Sequence, residues 1–585
     1  MLSSITKSLA VIAIAALLFL GSTGDDQRWL ACLFGAAPFI LYLIWAAVPL
    51  PAQAENRAVQ RLGGVLLTFF VLISLQLLRE QVLTATATKD RTQVINADKG
   101  VVISDPRRAD AELRTERGRI YDAAGQPVAD RVIVSGGYVK RTYPNPYTAY
   151  LAGYYSPLRF GNFGLEDMYN KWLTGQEGNN PLADQVNALL HRPAVGNDLH
   201  LTINPDLQQV ATNALLNCSN QSNGCIGAAV VLDVHTGAVL AMASNPRFDP
   251  SQIAADPAAD PDAERDRISA YWNSLQSDAA HPLVIRATAG LYPPGSTFKT
   301  VTLVAGLDTG KYTLQTPFHD PGYVDINHHR EVDCATCRPP ASVHPADIFT
   351  MIEGYQWSLN VVFASAAALP PNALGASTMA EYIRRFGVGN RHLMDDFPLS
   401  TSRVCAGTND PADMQCLFSP DNGPNLVAET AFGQGQLQVT PMQMAVIAAT
   451  VARGGEVPQP YVVNGITQPA PGGDKILFRA QPKSLGRIMT PETATTARNA
   501  MYTSVQKGWA NGAAITGYAV GGKTGTAETG RNGIFHSWFI AIAGKDPNNP
   551  DYAICVMFEN GGEGTRVALP AAKKIMVWLS QNSVK

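Results

Sequence analysis

The hydrophobic positions of this chain fall into two regimes. Up to residue 83 they form long unbroken blocks, and afterwards they break into short runs between turn residues. The early blocks predict membrane spans at 5–21, 29–50 and 62–80. The second and third approach the ~20 residues that cross a bilayer, and the first does so when the residues before its apolar core join it and Lys7 snorkels. A short apolar core behind one lysine also fits a cleaved signal sequence, the rival reading of that segment. Asp25 and Asp26 lie between the first two stretches, and Arg57 and Arg61 between the last two. The positive-inside tendency therefore places the second loop in the cytoplasm and everything after the third span outside it.

Residues 83–204 are polar, dotted with Gly and Pro, and weakly periodic, which reads as a small pedestal domain. Within it Arg117-Gly-Arg-Ile-Tyr-Asp122, followed by Gly125, predicts a strand entering a turn. Residues 205–585 form the large domain. Here the pattern predicts a strand at 201–203, a helix at 205–216, and a hairpin of 227–233 with 238–243 turning at Gly237. Strands at 523–528, 536–543 and 552–558 continue an antiparallel sheet, and 568–581 closes as a helix. A long, mostly helical region separates the two strand groups.

Composition adds exclusions. The net charge is −3, and no Lys/Arg run occurs, so nothing points to nucleic acid. Charged residues make up 16% against the usual ~25%, in keeping with a membrane-embedded part. Of the eight cysteines, Cys32 lies in a span and Cys555 in an apolar run. The rest form three local pairs, Cys218 with Cys225, Cys334 with Cys337, and Cys405 with Cys416, whose loop-like setting favours disulfides in an oxidising compartment. Zinc at Cys334 and Cys337, with His328 and His329 nearby, is the competing reading, but the usual second pair of ligands is missing. No metal and no cofactor is expected.

Three short motifs follow in one order: Ser296-Thr-Phe-Lys299, Ser358-Leu-Asn360 and Lys523-Thr-Gly525. Ser-x-x-Lys recurs at Ser4 and Ser504 and Ser-x-Asn at Ser580, so order and location outside the membrane single out this set. Pro293-Pro-Gly295 stops the preceding element and predicts a helix at 296–307 with Ser296 near its N-terminus and Lys299 on the same face. Together these residues describe serine acyl transfer, with Ser296 as nucleophile and Lys299 as base. An unperturbed lysine is neutral only about once in a few thousand at pH 7, a penalty of roughly 4–5 kcal/mol that burial beside a second cation such as Lys523 would remove. Ser358 is placed to pass a proton to the leaving amine and Asn360 to hold a substrate amide, although a serine there also caps helices routinely. Lys523, Thr524 and Thr526 suit a terminal carboxylate on an added strand, Gly525 lets another backbone approach, and the amides of Ser296 and Thr526 suit an oxyanion.

At these residues the chain resembles the class B penicillin-binding proteins of the penicillin-binding protein A and FtsI-like type, from about residue 112 to the end. Arg117 to Asp122, Tyr292 to Lys299 and Phe432-Gly-Gln-Gly-Gln-Leu-Gln-Val-Thr-Pro441 also carry the likeness. The resemblance implies an α+β fold: a five-stranded antiparallel sheet with helices and a helical subdomain, a β-rich pedestal of dimerisation type, and N-terminal transmembrane helices. It implies a peptidoglycan D,D-transpeptidase in a bacterial cell membrane that joins stem peptides through a Ser296 acyl-enzyme and is acylated by β-lactams. A D,D-carboxypeptidase or β-lactamase-type hydrolase would use the same residues. A β-lactam sensor is a further alternative, weakened because no His-Glu-x-x-His occurs. The interval 79–203 is too short for the glycosyltransferase of class A members, so a membrane-embedded glycan polymerase of the SEDS type is the implied partner. Three spans depart from the single helix usual in class B.

Overall fold

The computed structural model describes residues 2–23, 26–48, 54–83, 93–95, 102–104, 106–157, 159–178, 192–216, 225–333, 339 and 347–582. The chain divides into two compact units, residues 1–112 and 113–585. The first contains α1 (Leu2–Ser22), α2 (Asp26–Ala47) and α3 (Ala54–Leu78). All three are long and apolar enough to cross a membrane. Helices α2 and α3 begin before the apolar stretches do, at Asp26 and Ala54. A helix satisfies its own backbone and can run on into the polar flank, so apolar content marks only its membrane part. Trp29 Nε1 donates to Gln76 Oε1 at 2.6 Å, pairing polar groups of α2 and α3 with each other.

The second unit opens with β1 (Ile120–Tyr121), β2 (Pro127–Ile133), β3 (Val139–Thr142) and β4 (Asp198–Leu201). The turn after β1 is tied by Asp122 Oδ1, which accepts the amide hydrogens of Ala124 and Gln126 at 2.9 Å each, and Gly125 takes φ 74°. The strands Val463–Gln468 and Lys475–Arg479 extend this sheet to six, although some 260 residues separate Val463 from its partner Leu201. Their alternation is weak, and no local signal announces so distant a pairing.

Beneath the sheet, Arg117 and Arg141 each donate from Nε to Glu166 at 2.6 Å, with all three side chains buried. Asn170 Oδ1 and Gly118 O take further guanidinium hydrogens. Burial opposes the charge on Glu166, but Arg141 and then Arg117 outweigh it and hold the carboxyl below its usual range.

Asn204 then caps α4 (Pro205–Leu215), its side chain accepting from Leu207 N at 2.9 Å with Pro in the first turn. This cap turns the chain early, and the strand expected at 201–203 ends at Leu201. The main sheet comprises β5 (Gly227–Asp233), β6 (Val239–Asn245), β7 (Ala519–Glu528), β8 (Phe535–Gly544) and β9 (Tyr552–Phe558). It is antiparallel throughout, in the order β6-β5-β9-β8-β7. Alternate residues of β5 enter different cores. Ala228, Val230 and Leu232 join the one with helix Pro441–Ala452, while Ala229 and Val231 join α4 and helix Ala568–Gln581. Burial on both faces explains why β5 and β9 read as continuous apolar runs. Strand β7, which carries Lys523, lies at the sheet's edge. Cys405 and Cys416 are joined by a disulfide. Cys218, Cys334 and Cys337 lie outside the described residues.

Glu166→Gln would leave two buried guanidinium groups without a counter-charge. A loss of about 3–5 kcal/mol in the stability of this unit is expected in denaturant unfolding, and a loss below ~1 kcal/mol would contradict the account.

Candidate active site

Gly295 bends the chain at φ 54°, and a side chain there would strike Thr526 O at 2.7 Å, so only glycine lets the turn seat against β7. The turn that follows, Gly295–Phe298, is 3-10, and α5 (Lys299–Asp308) begins only at Lys299. A continuous helix from Ser296 was expected. The positive φ of Gly295 behind two prolines tightens the entry instead. In a 3-10 turn residues i and i+3 eclipse, and Lys299 Nζ consequently lies 2.9 Å from Ser296 Oγ.

Asn360 opens α6 (Asn360–Ala368). Ser358 just before it adopts φ 64°, a left-handed conformation that a non-glycine residue holds only where its surroundings impose it. Its carbonyl is thereby turned to Lys299, which donates to Ser358 O and to Asn360 Oδ1 at 2.7 Å each. Neither acceptor can donate in return. Asn360 Nδ2 donates to Val332 O at 3.2 Å, which fixes the amide so that Oδ1 faces the amine. Two hydrogens of a neutral Lys299 are thus taken, and its lone pair is left for the Ser296 hydroxyl.

From β7, Lys523 Nζ donates to Ser358 Oγ at 2.8 Å and to Thr524 O at 3.0 Å. Lys299 Nζ lies 3.4 Å from the same hydroxyl. The Ser358 hydroxyl accordingly sits between two amines. Gly525 brings β7 against the Ser296 turn, since an added Cβ would meet Thr297 Cγ2 at 2.9 Å and Pro294 O at 3.0 Å. Thr524 and Thr526, two apart, share one face of the strand. Thr526 Oγ1 accepts from Gly564 N at 3.2 Å.

Ser296, Ser358, Asn360 and Thr526 are partly exposed, whereas Lys299 and Lys523 are 0% exposed. Phe363 and Phe432 stand 5.6 and 5.9 Å from Lys299 Nζ, and Tyr355 stands 5.7 Å from Lys523 Nζ. Burial pulls Lys299 down to about 7 against the opposing pull of Asp333 and Asp320. Lys523 is pushed down too, by burial first and then by the charge of Lys299.

Asp333 was not singled out from the sequence. Its Oδ1 accepts the amide hydrogens of Asn360 at 2.6 Å and Val361 at 3.1 Å, capping α6 from 27 residues upstream. The aspartate, rather than Ser358, caps this helix, and no motif surrounds it. Phe432 heads the segment quoted for the resemblance, whereas Phe363 and Tyr355 look like ordinary core residues in the sequence.

The sequence profile of the penicillin-binding protein transpeptidase domain matches residues 227–577, and that of the penicillin-binding protein A dimerisation domain matches 117–199. The chain belongs to the penicillin-binding protein transpeptidases. Peptidoglycan D,D-transpeptidase PbpA of Mycolicibacterium smegmatis is 31% identical over 532 residues, covering 87% of this chain and 94% of that protein. Penicillin-binding protein A of M. tuberculosis has been solved as its ceftriaxone and imipenem acyl-enzymes. Each gives a TM-score of 0.67 at 27% identity and covers 80% of this chain; they are themselves covered to 98% and 99%.

This penicillin-binding protein is thus a class B, serine-type transpeptidase that works through an acyl-enzyme and is closely related to mycobacterial PbpA. Its transmembrane helices are N-terminal, and its catalytic domain is extracytoplasmic.

If Lys299 must be neutral to accept a proton, acylation of the enzyme by an activated acyl donor rises with pH through about 7. Below that pH the rate should fall about tenfold per unit as the amine protonates. Stopped-flow acylation across this range tests the assignment, and a rate that stays flat down to pH 5.5 would overturn it.

Proposed function

We propose that Ser296 carries the acyl group, Lys299 removes its proton, Ser358 relays a proton to the leaving amine, and Lys523 holds Ser358 and the incoming carboxylate. The 2.9 Å approach of a buried lysine to the Ser296 hydroxyl carries this reading. On attack, the Ser296 Oγ–C bond forms, the proton moves to Lys299 Nζ, and the carbonyl oxygen takes negative charge. The amides of Ser296 and Thr526 stabilise that oxygen, and losing one such donor typically costs ~3–4 kcal/mol. The C–N bond then breaks, and the departing amine takes its proton through Ser358. An incoming amine reverses these steps and forms the new amide.

The substrate is the D-Ala-D-Ala end of a peptidoglycan stem peptide. It lies as an added strand along the edge strand β7, with its carboxylate at Thr524 and Thr526 and an amide of the peptide at Asn360. Gly525 keeps β7 close to the nucleophile. β-Lactams, which acylate the related M. tuberculosis protein, present the same acyl group and carboxylate to Ser296. A membrane-embedded glycan polymerase of the SEDS type is the proposed partner, supported by the membrane anchorage and the resemblance.

A fluorescent penicillin is expected to label the wild type. Ser296→Ala should lose the label entirely, and Lys299→Ala should acylate at least 10²-fold more slowly while unfolding like the wild type. Labelling that persists in Ser296→Ala would overturn the nucleophile. With a stem pentapeptide and an acceptor amine, the amide product should exceed the hydrolysis product; free tetrapeptide alone would make the enzyme a carboxypeptidase. The polymerase should co-purify with the full-length chain from detergent extracts and be absent when α1–α3 are replaced by an unrelated span.

A further inference from the structure

Outside the acyl-transfer residues, three side chains converge without hydrogen bonds to one another. The hairpin of Tyr323–Ile326 with His329–Val332 supplies His329 and Glu331. Glu429 comes from α7 (Gly423–Ala431). His329 Nε2 is 3.4 Å from Glu331 Oε1 and 3.8 Å from Glu429 Oε1. One donor atom of each residue lies within 4.8 Å of the others.

Glu331 is the decisive member. It is 9% exposed, and its Oε1 is shut off from solvent with no hydrogen-bond partner. A buried carboxylate oxygen left in that state is costly and unusual unless a cation or a proton meets it. The neighbouring charges make matters worse. Burial and then Glu429 push the Glu331 carboxyl up to about 7, with Glu528 adding to the effect and His329 opposing it. Glu429 is raised as well, by burial and by Glu528 against His329. Two carboxylates and an imidazole thus face one another with a deficit of positive charge.

We propose that His329, Glu331 and Glu429 bind a divalent transition-metal ion, with zinc as the ion that fits this donor set. Imidazole nitrogen with carboxylate oxygen suits zinc better than calcium or magnesium, which favour all-oxygen shells. Three protein donors leave a coordination position for water on the His329 side, where the imidazole is half exposed. The ion would also be placed to matter. Glu331 is two residues before Asp333, the cap of α6, and Glu429 is three before Phe432, which stands beside Lys299. A metal here ties the segment that orients Asn360 to the helix that leads into the aromatic wall.

The test uses the full-length protein in detergent, stripped with a chelator and dialysed against zinc chloride. Atomic emission should find about one tightly held zinc per wild-type chain, and thermal unfolding should shift upward with zinc concentration. His329→Asn and Glu429→Gln should each lose the bound zinc and the shift while still reacting with fluorescent penicillin. If the Glu429 variant does not fold, the comparison rests on His329→Asn at its exposed position. Wild type that takes up no zinc has a protonated Glu331 instead, and the proposal fails. It fails equally if both variants retain the wild-type zinc content. Metal content is read without turnover, so this result stands apart from the acyl-transfer roles.

Discussion

Two lysine amines held out of water on either side of one serine hydroxyl are the constraint around which this molecule is organised. An exposed Lys299 would be an ammonium with no proton-accepting capacity at neutral pH. Buried between aromatic rings, it falls to about 7 because desolvation outweighs the pull of Asp333 and Asp320. Burial of a charge-bearing group is tolerated only when its hydrogen bonds are met. Ser358 O and Asn360 Oδ1 meet those of Lys299 from a distant stretch of chain, while Lys523 donates to Ser358 Oγ and to Thr524 O of its own strand.

The rest of the architecture follows from holding those stretches in register. A three-layer stack buries β5 on both faces and leaves β7 at the edge, paired with β8 on one side. Glycines at 295 and 525 allow the Ser296 turn to press against that edge at backbone distance. Asp333 fixes the start of α6, and with it Ser358 in a conformation that costs of order 1–3 kcal/mol. Catalytic geometry is therefore stored in packing remote from the reacting atoms.

Much was legible beforehand. The hairpin turning at Gly237, the strand 552–558 and the helix 568–581 follow from apolar period and turn residues, which are local properties. The motif trio picked out side chains that the fold brings together, Ser296, Lys299, Ser358, Asn360 and Lys523, because acyl transfer restricts which residue types can serve. What could not be read were features whose cause lies elsewhere in the chain. The pairing of Val463–Gln468 with β4, the ion triad of Arg117, Glu166 and Arg141, and the cap from Asp333 each join residues tens to hundreds of positions apart. Even the local entry to α5 differed, because a 3-10 turn in place of a helix is imposed by the contact of Gly295 with β7.

The sequence by itself determined membrane helices, strand and helix types, and the chemical vocabulary of serine, lysine, asparagine and threonine, since these depend on side-chain identity and short-range periodicity. The tertiary structure alone decided that Lys299 is held out of water, which oxygens face it, and which aspartate steadies Asn360. A lysine's proton affinity is set by its dielectric surroundings and neighbouring charges. Those come into being only when distant segments close around it.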